Sequence, residues 1–403
     1  MWYLLMVFYF TLILGNIHGN FQNQNFVNPE ANMNISQIIS YWGYPDEEYD
    51  VVTEDGYILG LYRIPYGKTN LKGNPGRSAP RLVVYLQHGL LMSASAWISN
   101  LPNNSLGFLL ADAGYDVWMG NSRGNTWSRK HVYLETNSSE FWAFSFDEMA
   151  KYDLPASLDF IVKHTGQEKL FYIGHSQGTT IAFIAFSTMP KIAKRIKILF
   201  ALAPVASIKH TKCPLIKMAY KLKRVIKVFA GNKDFLPTTS FNNFVGPKMC
   251  SLLMLNKICL NSLFMLFGKD TKNINMSRLD VYFSHNPAGT SVQNIFHWLQ
   301  LLHSPYLKAF DWGSPDLNLV HFNQPTPPLY KVENMKVPTA MWSGGRDRLA
   351  DPIDVKKLEP KIANLIYHKK IPDHTHLDPV IGLDAREQIF DEIIAFINED
   401  QSD

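Results

Sequence analysis

Cysteine is nearly missing from this chain: Cys213, Cys250 and Cys259 are the only three in 403 residues. So small a number excludes a scaffold held by many disulfides, and none of the three has the spacing of a thiolate metal site. An odd count leaves one thiol without an intramolecular partner. The sequence also has no metal-ligand cluster, phosphate-binding glycine loop, nucleotide motif or internal repeat. No cofactor or metal is therefore expected. Charge of one sign is missing too. Lys and Arg number 39 against 35 Asp and Glu, a net of +4, too small to point to nucleic acid. Past the N-terminus, no apolar run approaches the about 20 residues needed to cross a bilayer.

What is present suits a globular chain with a full core: 46% of residues are hydrophobic and 18% charged, in one large domain or one plus an insertion. Met1–Leu14 is aromatic and aliphatic, and Gly15–Gly19 turns small and polar. This reads as a signal peptide over 1–19, the alternative being an uncleaved anchor or a buried N-terminal segment. Four glycosylation sequons, at Asn34, Asn103, Asn137 and Asn275, agree with secretion.

The chain is organised around Lys169–Phe186. Leu170–Ile173 is a short β-rich apolar run, Gly174-His-Ser-Gln-Gly178 follows at once, and from Thr179 the chain reads as a helix. This is G-x-S-x-G in the strand–turn–helix context that its chemistry requires. The turn holds Ser176 in a strained conformation with its hydroxyl raised, and glycines flank it because side chains there would strike the neighbouring strand and helix. The competing reading is a glycine-rich turn with an incidental serine.

A serine hydroxyl becomes a nucleophile when a histidine takes its proton and a carboxylate fixes that imidazole. In this fold class the acid and then the histidine follow the serine in the chain. Thr339–Gly344 reads as a strand leading to Asp347, and Leu365–Ile371 as a strand leading to the loop with His374 and His376. Asp351 precedes Pro352 and reads as a helix N-cap rather than the acid. Spacing alone leaves His374 and His376 unseparated.

Arg81–Leu86 reads as a strand and His88-Gly-Leu-Leu91 as the loop after it. The backbone N–H groups of Leu90 and Gln177 are the expected oxyanion-hole donors, with His88 shaping the loop. Arg123, in Asn121-Ser-Arg-Gly124, anchors that loop by a salt bridge or lines the site; the first role is favoured. Asp55-Gly56 predicts a hairpin turn. Phe146–His164 reads as an amphipathic helix that Pro155 kinks or begins.

After Ile198–Ala203 the α/β alternation stops, and residues 207–330 read as short helices and loops. These hold 14 Lys and Arg against 5 Asp and Glu. Within them, Leu215, Met218, Ala219, Leu222, Ile226 and Phe229 share a face of one predicted helix that also carries Lys217, Lys221, Arg224 and Lys227. Such a helix either packs as an ordinary element with solvated lysines or lies on an anionic interface.

Several stretches then resemble the mammalian acid lipases, the gastric and lysosomal acid lipases and their relatives. They are Leu86–Leu91, Asn121–Arg129, Gly174–Gly178, Ser277–Tyr282, Ser284–Asn294 and His376–Asp378, and the resemblance covers nearly the whole mature chain. It implies an α/β-hydrolase core of mostly parallel sheet, at 20–206 and 331–403, with an inserted helical cap at 207–330. It places the acid on Asp347 and the histidine on His376, pairs Cys250 with Cys259, and implies glycans at Asn34, Asn103 and Asn275. It departs from the family after His376-Leu-Asp378, where Pro379-Val-Ile381 replaces aromatics. The implied activity is hydrolysis of lipid esters, triacylglycerols first, at an oil–water or membrane interface by a secreted or lysosomal enzyme. The alternatives are a cholesteryl-ester hydrolase or carboxylesterase on the same fold, and a catalytically idle lipid-binding protein.

Overall fold

The computed structural model describes residues 27–68, 81–237, 256–269 and 272–400; residues 1–19 and Cys250 lie outside them. β1 (Glu47–Val52) and β2 (Tyr57–Ile64) form the hairpin expected around Asp55-Gly56. Gly56 adopts φ +94°, and a Cβ there would sit 2.8 Å from the His131 ring, so this turn calls for glycine.

The remaining strands are β3 (Val83–Gln87), β4 (Asp116–Gly120), β5 (Lys130–His131), β6 (Leu170–His175), β7 (Ile196–Leu202), β8 (Asp234–Phe235), β9 (Thr290–Ser291), β10 (Thr339–Gly344) and β11 (Leu365–Ile371). The large sheet runs β1-β2-β4-β3-β6-β7-β10-β11, with β5 added beside β2. From β4 to β11 every pairing is parallel, while β1 and β2 are antiparallel. β8 and β9 form a separate two-stranded sheet.

Both faces of the parallel part are covered, which is why its strands read as apolar runs. Tyr85, Tyr172, Leu199 and Met341 pack on one face, and Val84, Ile173, Phe200 and Trp342 on the other. The helix Gln177–Thr188 is buried from Gln177 to Phe186. Its buried hydroxyls are satisfied within the fold: Thr179 Oγ1 donates to the Ser176 carbonyl at 2.7 Å and Thr180 Oγ1 to that of Val205 at 2.6 Å.

Two helix expectations need correction. Phe146–His164 is not one amphipathic helix. A short helix at Phe146–Glu148 passes through a π-helical turn, Met149–Asp153, into the α-helix Leu154–Thr165. Pro155 lies in the first turn of that last helix, directly after the π-helical turn. The predicted basic helix is also broken: Leu222 closes Pro214–Lys221 and caps Lys223–Ala230. Among the described residues, 207–330 supplies no strand to the large sheet and forms helices and loops together with the small β8–β9 sheet.

All four sequon asparagines reach the surface, Asn103 and Asn137 exposed and Asn34 and Asn275 half-buried. Asn34 and Asn275 cap helical turns through Oδ1, accepting from Gln37 N and Ser277 N. Cys213 is a buried free thiol whose pKa burial pushes up, and Cys259 is disulfide-bonded. Mapping of non-reduced peptides by mass is expected to join Cys250 to Cys259 and leave Cys213 free. A loop this short stabilises by about 2–3 kcal/mol in the chain-entropy view. A bridge to Cys213 would overturn the pairing.

Candidate active site

The parallel strands deliver the chemistry to one edge. The loops after β3, β6, β10 and β11 carry Leu90, Ser176, Asp347 and His376 respectively, all beyond carboxyl ends of strands, where ligands bind in such sheets.

Ser176 sits between β6 and the helix Gln177–Thr188 at φ +52°, ψ −118°. This is left-handed territory that a residue with a Cβ enters only when its surroundings force it. The flanking glycines show what forces it. A Cβ on Gly174 would meet Gly178 backbone atoms at 2.9 Å, and one on Gly178 would meet the Gln87 carbonyl at 2.4 Å. The elbow is thus wedged between β3 and its own helix, as the sequence predicts.

Ser176 Oγ donates to His376 Nε2 at 2.7 Å, and His376 Nδ1 donates to Asp347 Oδ2 at 2.7 Å. Asp347 Oδ1 accepts from the amides of Leu349 and Ala350 at 2.7 and 2.8 Å, so the carboxylate is held as an acceptor and aimed at the imidazole. All three residues are buried, Ser176 being the most open at 9% exposure. The structure therefore brings Ser176, His376 and Asp347 together. His374 turns away, and its Nε2 pairs with Asp384 Oδ1 at 2.9 Å. Asp351 caps its helix by accepting from Ile353 N at 2.9 Å.

His88 and Arg123 are built into walls rather than aimed at Ser176. His88 Nδ1 donates to the Gly89 carbonyl at 2.7 Å and Nε2 accepts from Ser122 N at 3.0 Å. Burial lowers its pKa to about 4, so the ring is neutral in this role. Arg123 donates to Asp153 and Asp55 at 2.6–2.8 Å and lies 3.9 Å above the Tyr57 ring. It ties its loop to the hairpin turn.

Further residues support the histidine and the acid. His175 Nε2 donates to the His376 carbonyl at 2.8 Å, and burial holds its pKa down at about 3. The Phe267 carbonyl, at the end of the helix Asn256–Phe267, accepts from both His376 N and Arg348 N at 3.3 Å. The Phe267 ring stacks near His376, 6.2 Å between centroids and 10° between planes.

A family model described as "alpha/beta hydrolase fold" matches residues 83–382, and one described as "Partial alpha/beta-hydrolase lipase region" matches 35–101. Human lipase member J is 70% identical over 367 residues, covering 91% of this chain and 100% of that protein. The chain belongs to the α/β-hydrolase lipase family. Human gastric triacylglycerol lipase is 58% identical over 401 residues, covering 100% of both chains. At the level of fold, a soluble variant of monoglyceride lipase from Saccharomyces cerevisiae is similar, with a TM-score of 0.51 and 15% identity, covering 88% of this chain and 98% of that one.

Three residues of this α/β-hydrolase lipase escape a reading of the sequence: Asn294, Trp298 and Ala288. Ala288 and Asn294 fall in the stretch Ser284–Asn294, which the sequence shows as a resemblance without a role, and Trp298 lies beyond it. Asn294 Nδ2 and Trp298 Nε1 both donate to Gln177 Oε1, at 3.0 and 2.7 Å, and Ala288 N donates to the Leu91 carbonyl at 2.7 Å. After His376, Val380 and Ile381 are buried.

Proposed function

We propose that this chain is a serine lipase that hydrolyses carboxylic esters of lipids, triacylglycerols above all, through Ser176, His376 and Asp347. The reading rests on one observation above the others: an unbroken relay from Ser176 Oγ through the imidazole to a carboxylate already fixed by two amides. His376 Nε2 takes the Ser176 proton as Oγ attacks the acyl carbonyl, and Asp347 steadies the imidazolium that forms. The carbonyl oxygen becomes negative and is held by the N–H groups of Leu90 and Gln177. Gln177 opens its helix, so its amide has no intrahelical acceptor and the positive helix end favours the anion. His376 then protonates the leaving alcohol, the acyl group stays on Ser176, and water releases the fatty acid by the same route.

The name of the gastric triacylglycerol lipase relative supports glycerides as substrates. Surface sequons support passage through the secretory route, and no helix among the described residues is long and apolar enough to cross a membrane. A fluorophosphonate probe tests the nucleophile directly. The adduct is expected on the peptide containing Ser176, and labelling elsewhere, or none, would overturn the reading.

An oil–water or membrane interface is the proposed meeting place, and residues 214–228 supply a testable surface. Lys217, Lys221, Arg224 and Lys227 are exposed there, beside Met218 at 40% and Val228 at 78% exposure. Changing all four cations to Gln is expected to weaken binding to an anionic emulsion at low salt by about tenfold or more, since each basic residue near such a surface contributes up to about 1 kcal/mol. Salt screens over about 10 Å at 0.1 M, so the effect should shrink as salt is added. Binding to a neutral emulsion and turnover of a short soluble ester should stay unchanged. Equal binding by both proteins at low salt would confine these helices to packing.

A further inference from the structure

We propose that Asn294 and Trp298 are positioning residues for the oxyanion hole: they clamp the Gln177 side chain so that its backbone amide stays aimed at the reacting oxygen. This rests on the proposed serine-lipase mechanism and adds the part of the molecule that keeps its hole in shape.

The clamp has one internally consistent hydrogen-bond assignment. Phe146 N can only donate, and it meets Asn294 Oδ1 at 3.0 Å. Trp298 Nε1 can only donate, and it meets Gln177 Oε1 at 2.7 Å. Two one-way donors therefore fix both amide orientations, leaving Asn294 Nδ2 to donate to Gln177 Oε1 at 3.0 Å and to Thr290 Oγ1 at 3.0 Å. Gln177 Nε2 lies 3.4 Å from Met149 Sδ. Asn294, Gln177 and Trp298 are buried, so each bond is made without competition from water.

The same stretch of chain also holds the other donor. Ala288 N donates to the Leu91 carbonyl, one residue beyond Leu90, and the Ala288 carbonyl accepts from Thr126 N at 2.8 Å. Leu91 itself is held at φ +61°, an unusual value for leucine. The segment from Ala288 to Trp298 thus touches both sides of the hole while contributing neither amide. An oxyanion hole works because its donors stand within tenths of an ångström of where the charge will develop. A buried glutamine with two donors on one oxygen resists rotation, and the backbone it springs from is the residue after the strained Ser176.

The test uses the full-length enzyme with Trp298→Phe, which keeps the ring packing and removes the N–H, Asn294→Ala, and the pair together. On a short soluble ester, each single change is expected to lower kcat by about 10-fold and the pair by about 100-fold. That is less than outright loss of a donor and in the range of a small misplacement. KM should stay within about twofold. An alkylboronic acid, which forms a tetrahedral adduct on Ser176 and seats an oxygen in the hole, supplies the decisive readout. Its inhibition constant should rise in proportion to the fall in kcat/KM. Wild-type kcat in the folded variants, or a lower kcat with an unmoved boronate constant, would overturn the clamp. If Asn294→Ala does not fold, Trp298→Phe carries the test. Ser176→Ala run alongside separates the two ideas: an active Ser176→Ala defeats the serine mechanism, whereas an inactive one with unmoved boronate constants defeats only the clamp.

Discussion

Ser176→Ala is expected to lower ester turnover by about 10⁶-fold, the usual cost of removing a triad nucleophile, while the protein folds as before. The substitution deletes one atom. Cβ remains, the backbone stays at φ +52°, and Gly174 and Gly178 still wedge the elbow between β3 and its helix. The lost contact is a single hydrogen bond from Oγ to His376 Nε2 at 2.7 Å, worth about 1 kcal/mol net in a folded protein. Initial rates on a soluble ester, read with a thermal unfolding curve, check both halves. Substantial turnover by the folded variant would sink the assignment of Ser176.

The second large effect separates two neighbouring histidines. His376→Gln is expected to be about as damaging as the serine change, because no glutamine atom can accept the Ser176 proton and later return it. His374→Gln should leave kcat within about twofold, since no step of the relay passes through it. His374 bonds through its side chain to Asp384 Oδ1 at 2.9 Å, and the support it gives the acid loop comes from its backbone carbonyl, which accepts from Arg346 N at 2.9 Å. Glutamine keeps that carbonyl and a side-chain N–H donor. Rates of the two variants, each normalised to folded protein, decide the matter. The opposite pattern, His374→Gln inactive and His376→Gln active, would move the general base to the other ring.

These two residues also mark the limit of what the sequence could tell. The elbow was legible because it is local: strand, glycines, serine and helix lie within a few residues and each constrains the next. Asp347 and the histidine loop were legible because chain order and sheet topology both put them after the serine at one edge. Choosing between His374 and His376 was different. They are two positions apart in a loop without periodicity, and the choice rests on which distant carboxylate each one meets, Asp347 or Asp384. Resemblance to a family points to His376 where local patterning does not. The break at Leu222 leaves no mark in the sequence for a related reason. Its neighbours keep a helical apolar rhythm across the break, and nothing in their propensities forces the chain to turn there. The Asn294–Gln177 bond joins residues 117 positions apart, and a buried polar pair at that distance leaves no pattern in either segment.

The shared acceptor at Phe267 bears on how far this chain could be trimmed. Its carbonyl accepts from the amide of His376 and from Arg348, the residue after Asp347, at 3.3 Å each. The Arg348 side chain reaches back to the Phe264 carbonyl at 3.4 Å. The two loops that carry His376 and Asp347 come from different strands, and one turn of a helix outside the large sheet ties them to each other. An engineer who excised residues 207–330 to obtain a minimal esterase would keep every member of the Ser–His–Asp set and lose the peptide group that keeps two of them in step. A shortened version would have to retain the turn Phe264–Gly268, or supply another carbonyl in its place. By the same reasoning, an ancestor without that segment would have needed a different tie between its acid and its histidine.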